Sequence, residues 1–110
     1  MVMNSSPFGG EARTRTLVAL GLLGQSYPRE LARLLAAPVS GVQAALRGLE
    51  RDGLVAGRLI GRTRTYQLEP RYFALKELQP YLARLSAADP DLTAAVEGLR
   101  RRPRRSGKPL

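Results

Sequence analysis

Closely spaced prolines and glycines divide the first two thirds of the chain into short segments, and this punctuation constrains the fold more than any other feature. The breakers are Gly24, Pro28, Pro38, Gly53 and Pro70. Proline cannot be accommodated freely inside a helix, and glycine is favoured just after a helix ends. We therefore interpret each segment between breakers as a single helix or a hairpin.

Three segments have the apolar spacing of amphipathic helices. Residues 13–23 carry a wide apolar face and end at Gly24, and a second helix begins with Pro28 in its first turn and must stop near Pro38. The third helix covers about residues 39–52, where Val42, Leu46 and Leu49 share one face at i, i+4 and i+7. At 100° per residue, the opposite face of this helix holds Ser40, Ala44, Arg47 and Arg51, with Gln43 on its flank.

After Gly53 the apolar spacing changes from helical to alternating. The segments "LVAGRLI" and "RTRTYQL" predict two strands of a β-hairpin over about residues 54–68, with the tip at Gly61-Arg62. In the second strand Arg64 and Tyr66 point to one side, whereas Thr63 and Thr65 point to the other.

The remainder of the chain is predicted to form two C-terminal helices. Pro80 should kink or split the first of them, and Asp89 should cap the second, with Pro90 at its first position. The apolar stripes of both helices fit either the ordinary core or a dimer seam. The seam candidates are Leu78, Leu82, Leu85, Leu92, Val96 and Leu99.

The composition excludes several kinds of site. The chain has no cysteine and no histidine, which removes disulfides, thiolate metal sites, the commonest metal ligand and the commonest general base. We therefore expect neither an enzyme nor a metal site, and no cofactor.

The charge points to a polyanionic partner, although its distribution is uneven. The formal net charge is +9, and the end "RRRPRRSGKPL" from Arg100 holds six cations and no acid. Twelve cations against nine acids leave +3 for residues 1–99. We expect residues 1–11 to be a flexible N-terminus and residues 103–110 a basic disordered tail, which is either simply solvated or binds phosphate nonspecifically.

No targeting or membrane segment is recognisable. The first ten residues lack the basic start and apolar run of a signal peptide, and the longest apolar stretch, residues 17–24, falls well short of the roughly 20 residues that span a bilayer. We expect a soluble, cytoplasmic, nucleoid-associated protein that makes no membrane contact.

The order helix, helix, helix, hairpin, helix, helix resembles the winged helix-turn-helix transcriptional regulators, in particular their ArsR- and MarR-like groups. The resemblance rests on "YPRELARLLAAPVSGVQAALRGLERDGLVAGRLIGRTRTYQLEP". It implies a mainly α fold with a small β-hairpin wing. Residues 12–70 would form the winged helix-turn-helix domain, and residues 71–102 two additional helices that pack on it and dimerise.

The resemblance also implies a sequence-specific regulator that binds double-stranded DNA as a homodimer. The third helix would lie in the major groove, and the wing would contact phosphate or the minor groove. The residues placed at base edges are Val39, Ser40, Gly41, Gln43, Ala44 and Arg47. The residues placed at phosphates are Arg29, Arg51, Arg58, Arg62, Thr63, Arg64 and Thr65.

The chemistry of these positions agrees with that placement. Arginine can donate two hydrogen bonds to guanine, glutamine can pair with adenine, and small side chains allow close approach to the bases. A Cys/His metal sensor is excluded by composition, and any small-molecule effector is unknown. The alternative is a winged-helix adaptor that holds a protein partner and binds nucleic acid only nonspecifically.

The tetrapeptide Arg-Thr-Arg-Thr occurs twice, at residues 13–16 and 62–65. The second copy lies at the predicted hairpin tip, where alternation spreads cations and hydroxyls over both faces. The first copy opens a helix, so Arg13 and Arg15 lie at its positive end, which is unfavourable unless phosphate or a carboxylate is near. We interpret the two copies as different cases.

Overall fold

A computed structural model describes residues 8–101 of the chain, and within this range side chains as far as residue 100. These residues form five helices and one three-stranded antiparallel sheet. The elements are α1 (Glu11–Leu23), β1 (Gln25–Ser26), α2 (Pro28–Leu35), α3 (Val39–Arg51), β2 (Val55–Ile60), β3 (Thr63–Leu68), α4 (Leu75–Ser86) and α5 (Pro90–Arg101). The predicted class, mainly helical with a small hairpin, is confirmed.

The predicted breakers end the helices as their chemistry requires. Gly24 adopts a φ of 88°, and its N–H donates to the Leu20 carbonyl at 2.8 Å. Gly53, with a φ of 81°, follows α3. Pro28 opens α2, where its missing N–H would have no helical partner, and Pro38 directly precedes α3.

Helix α1 is the centre of the fold. Leu17, Val18, Ala19 and Leu20 are consecutive and all 0% exposed, so this helix is covered on every side along its middle turns. It contacts α2, α3, α4, α5 and both β1 and β3. Full burial of each leucine contributes roughly 1.5–3 kcal/mol, and one core therefore joins the N-terminal elements to the C-terminal helices.

The sheet has the order β1-β3-β2, and the hairpin of β2 and β3 turns at Gly61-Arg62 as predicted. Gly57 lies opposite Tyr66, and Arg58 opposite Thr65. Strand β1, which was not predicted, adds only Gln25 and Ser26 to the outer edge of β3. Tyr66 is buried where the hairpin meets the core, whereas the tip is exposed.

Of the two effects predicted for Pro80, a kink or a split, the split is wrong and the kink stays a prediction. Helix α4 runs through this residue without being split. Proline cannot donate to the Lys76 carbonyl, but both residues are exposed, so water can satisfy that oxygen. Helix α5 begins as predicted, because the Asp89 carboxylate accepts a hydrogen bond from the Leu92 N–H at 3.2 Å.

The proposed dimer seam requires a correction, because most of its side chains pack inside the chain. Five of the six are no more than 9% exposed and belong to the common core, whereas Leu99 is partly exposed. The five are Leu78, Leu82, Leu85, Leu92 and Val96. The stripes are therefore ordinary core, the other interpretation that the sequence allowed, because α4 and α5 cover α1.

Candidate nucleic-acid interface

Helix α3 presents a continuous exposed face, here called the α3 face, made of the six residues predicted to read bases. All six are exposed: Val39, Ser40, Gly41, Gln43, Ala44 and Arg47. On the other side, Val42, Leu46 and Leu49 are at most 2% exposed and fix the helix against the core. The helical spacing correctly predicts the exposure of Ser40, Gln43, Ala44 and Arg47, whereas Val39 and Gly41 were placed on this face by the resemblance.

The first turn of the α3 face carries small side chains and is sterically open. A Cβ added at Gly41 would have no neighbouring heavy atom within 4 Å. Ser40 and Ala44 are small, and Gln43 and Arg47 rise from the helix beside them. A flat base edge can therefore approach the backbone here, while the two long polar side chains reach around it.

The hairpin brings two unpaired guanidiniums beside turn residues. Among the described residues, the exposed side chains of Arg58 and Arg62 have neither an ion pair nor a hydrogen bond. Thr63 is also exposed. The Thr65 hydroxyl, in contrast, donates to the Arg58 carbonyl at 3.3 Å, so it already has a partner within the hairpin.

Arg64 has a different environment from the other hairpin arginines. Its Nη2 lies 3.0 Å from Oε2 of Glu50 in α3, and its Nε donates to the Tyr66 hydroxyl at 3.2 Å. The guanidinium also stands 5.6 Å from the centre of the Tyr66 ring. Gly57 makes room for this arrangement, because a Cβ there would lie 2.8 Å from Tyr66 and 3.0 Å from Arg64. Arg64 thus joins β3 to the last turns of α3.

The same partners affect the acid–base chemistry of Arg64. Its hydrogen bond to Tyr66, followed by the negative charge of Glu50, raises the pKa of Arg64 above its already high ordinary value. The arginine therefore stays charged. To contact a phosphate, Arg64 would have to bind it together with the Glu50 carboxylate or release that carboxylate.

A second arginine pair holds the C-terminal end of α3. Nη2 of Arg13 lies 2.5 Å from Oδ2 of Asp52, and its Nε donates to the Phe8 carbonyl at 2.5 Å. A Cβ on Gly48 would come within 2.4 Å of the Arg13 guanidinium, so this glycine lets the arginine cross the helix. The hydrogen bond from Arg13 lowers the pKa of Asp52, against a smaller opposing effect of desolvation, and the charges of Arg13 and Arg51 act in the same direction.

These pairs determine the charge of the surface. Glu50 and Asp52 are the carboxylates nearest the end of α3, and each is paired with an arginine. Arg47 and Arg51 on the helix are exposed, like Arg58 and Arg62 on the hairpin, and no ion pair neutralises any of these four within the described residues. The free charge of this surface is therefore positive.

Arg29 is the predicted contact residue that the structure does not join to this surface. It is exposed in the first turn of α2, and in the described part of the chain no side-chain hydrogen bond or ion pair links it to α3 or to the hairpin. Its assignment to phosphate stays a prediction.

The residues that sequence reasoning missed are the partners of the arginines. Arg64 is bound by Glu50, 14 positions before it, and by Tyr66, 2 positions after it. Arg13 is bound by Asp52, 39 positions after it. The sequence predicts a phosphate or a carboxylate near the start of α1, and carboxylates of Asp52 and Asp89 lie there: Nε of Arg15 is 2.8 Å from Oδ2 of Asp89. Helical or strand periodicity carries no signal for such pairs between elements.

Comparison with known proteins adds no identification, because no protein-family model, curated protein or solved structure matches the chain. Within residues 8–101, no helix combines the length and apolar character required to cross a bilayer. The same residues contain no cluster of three or more acidic, histidine or cysteine side chains that could hold a metal ion.

Proposed function

We propose that the protein is a sequence-specific transcriptional regulator that binds double-stranded DNA through a winged helix-turn-helix. The observation that carries this proposal is the exposed α3 face together with a hairpin in which Arg58 and Arg62 form no ion pair with any described residue. Helix α3 would lie in the major groove, where Gln43 and Arg47 read base edges. Arg58 and Arg62 would contact phosphates and position the helix without reading sequence.

Charge and shape support DNA over a generic acidic partner. A flat helix face with one amide and one guanidinium matches the donor and acceptor pattern of base pairs, whereas an acidic protein surface would favour a row of cations. Residues 54–68 contain three arginines and no acid. The carboxylates of Glu50 and Asp52 are each paired with an arginine. This pairing lowers the repulsion between the surface and a phosphate backbone.

The decisive experiment is selection of bound duplexes from a random pool, followed by titration of the enriched site at increasing salt. Arg62→Ala should weaken all duplexes alike and reduce the magnitude of the log–log salt slope by about 1 per lost phosphate contact. Arg47→Ala should cost roughly 1–3 kcal/mol on the enriched site alone. A chain ending at residue 101 separates the contribution of the basic tail. Failure to enrich any sequence would contradict the proposal.

A homodimer is part of this proposal, because two symmetric α3 helices suit a pseudo-palindromic site. The dimer must use surface other than the five buried side chains of α4 and α5. Sedimentation equilibrium with and without the enriched duplex measures the stoichiometry, and one chain bound per full site would contradict dimeric binding.

A winged-helix adaptor is the second candidate, favoured by exposed aromatic side chains away from α3. Phe73 is 91% exposed and Tyr81 is 40% exposed. Large exposed aromatic groups are typical anchors of protein interfaces. If Phe73→Ser abolishes capture of a partner protein, and no duplex is enriched, the adaptor becomes the better interpretation.

A further inference from the structure

The hairpin tip exposes two large aliphatic side chains that have no role in the core. Leu59 is 65% exposed and Ile60 is 48% exposed, whereas Val55 and Tyr66 at the base of the hairpin are 1% and 7% exposed. The strands therefore extend beyond the core and carry apolar surface into solvent. Strand propensity alone would be satisfied by threonine, as it is at Thr63 across the hairpin.

The register places these side chains on both faces of the tip. Leu59 lies opposite Arg64, and Ile60 lies opposite Thr63. Consecutive strand residues point to opposite faces, so the two aliphatic groups flank the end of the ribbon. Gly61, with a φ of 65°, closes the turn without adding bulk. The tip is therefore a narrow apolar edge, no thicker than the two-stranded ribbon of β2 and β3.

Charges around this edge indicate what it meets. Arg58 and Arg62 bracket Leu59 and Ile60 in sequence, and residues 54–68 contain no acid. Both guanidiniums are exposed and, among the described residues, without an ion pair. An apolar edge between two free cations fits a kinked DNA groove, where phosphates line the walls and a partly unstacked base step exposes its apolar faces.

On the basis of the proposed DNA-binding function, we propose that the hairpin tip is a wedge that enters the minor groove and unstacks a base step. Leu59 and Ile60 press against the base step, while Arg58 and Arg62 bind the phosphates on either side. Proteins that insert aliphatic side chains in this way kink the duplex by roughly 20–90° toward the major groove. The step under the tip should be a pyrimidine–purine step, because such steps unstack most easily.

The test measures bending and unstacking separately from affinity. A duplex carrying the enriched site is labelled at both ends for energy transfer, and a second copy carries the fluorescent adenine analogue aminopurine at successive positions. The wild-type protein should shorten the end-to-end distance and raise aminopurine emission at one step only. Leu59→Thr and Ile60→Thr both place a good strand former in β2, so circular dichroism should not change, but together they should restore a straight duplex in the bound complex.

Two matched variants show whether the effect is specific to the wedge. Phe73→Ser removes another highly exposed apolar side chain, 91% exposed and outside the hairpin, and should leave the bend unchanged. Arg62→Ala should weaken binding and reduce the salt slope, yet at saturating protein the duplex should still bend. A bend that disappears in Phe73→Ser, or that survives in the double threonine variant, would overturn the wedge.

The outcomes also separate this inference from the function on which it rests. If the wild-type protein enriches no duplex, the regulator proposal fails and the wedge fails with it. If the protein binds its site without bending or unstacking it, only the wedge fails. Co-sedimentation with phosphatidylserine vesicles tests the other anionic partner: vesicle binding that is lost in the double threonine variant, together with an unbent duplex, would assign the tip to a lipid surface.

Discussion

Gly41 is the position where stability and the proposed function make opposite demands. It lies in the first turn of α3, and an added Cβ would meet no heavy atom within 4 Å. Alanine in a helix is more stable than glycine by roughly 0.5–1 kcal/mol. Gly41→Ala should therefore stabilise the fold by roughly that amount, which corresponds to a rise in Tm of about 2–8 °C for a domain of this size.

The same substitution should impair DNA binding. If α3 enters the major groove, the new methyl group stands between the backbone and a base edge, because glycine is used where a backbone approaches a ligand closely. We expect a loss on the scale of one disrupted base contact, roughly 1–3 kcal/mol on the enriched site. Urea unfolding and duplex titration of one protein preparation measure both effects.

Two other helical glycines serve as controls. Gly98 in α5 also has nothing within 4 Å of an added Cβ, so Gly98→Ala should stabilise the fold without changing DNA affinity. Gly48 in α3 is crossed by Arg13, whose guanidinium would lie 2.4 Å from the added Cβ, so Gly48→Ala should lose some or all of the gain. A stabilised Gly41→Ala variant with wild-type affinity would refute the placement of the α3 face against bases.

Three further predictions concern the partners of polar side chains. Glu50→Gln should free Arg64 for phosphate, so nonspecific affinity should rise and the salt slope should steepen by about 1, but in an Arg64→Ala background the salt slope should not change. The folded-state pKa of Asp52 is depressed, so this carboxylate stabilises the fold above its unfolded pKa of about 3.9. The stabilisation is lost as pH falls through the lower folded pKa. Asp52→Asn should remove this acid-dependent loss of stability from urea unfolding curves. Thr14→Val should lower the free energy of unfolding by about 1 kcal/mol, because Oγ1 of Thr14 donates to a backbone carbonyl. Thr16→Val should be neutral or stabilising, because Oγ1 of Thr16 is buried without a partner in the described chain. Equal costs for the two threonine variants would contradict that assignment.

Punctuation and periodicity predict the elements well where one short window contains the whole signal. The ends of α1 and α3 at Gly24 and Gly53, and the hairpin turn at Gly61, depend only on local backbone preferences. Strand β1 was missed because its two residues have no periodicity of their own and pair with β3 about forty positions away. Pro80 does not split α4, because the cost of its missing hydrogen bond depends on solvent access, which sequence does not specify.

Exposure of the site residues was predicted better than their chemical state. The outward face of α3 follows from 100° per residue, and every residue assigned to it is exposed. Arg64 and Arg62 looked equivalent in sequence, yet Arg64 is bound to Glu50 and Tyr66, whereas Arg62 has no partner among the described residues. The difference arises from the packing of the hairpin against α3, and no window of sequence contains both elements in their folded arrangement.

The two Arg-Thr-Arg-Thr tetrapeptides show how far secondary structure alone can change the use of identical residues. In α1, the 100° step turns Thr14 and Thr16 into the core and sends Arg13 and Arg15 to the carboxylates of Asp52 and Asp89. The first copy thus forms two ion pairs, which link α1 to the end of α3 and to the start of α5. In the hairpin, the alternating strand geometry leaves Arg62, Thr63 and Arg64 exposed. Because Arg13 neutralises Asp52 at the end of α3, the first copy also removes an anion that would oppose phosphate near the second. The first copy therefore supports the proposed interface through charge, although it lies outside the α3 face and the hairpin.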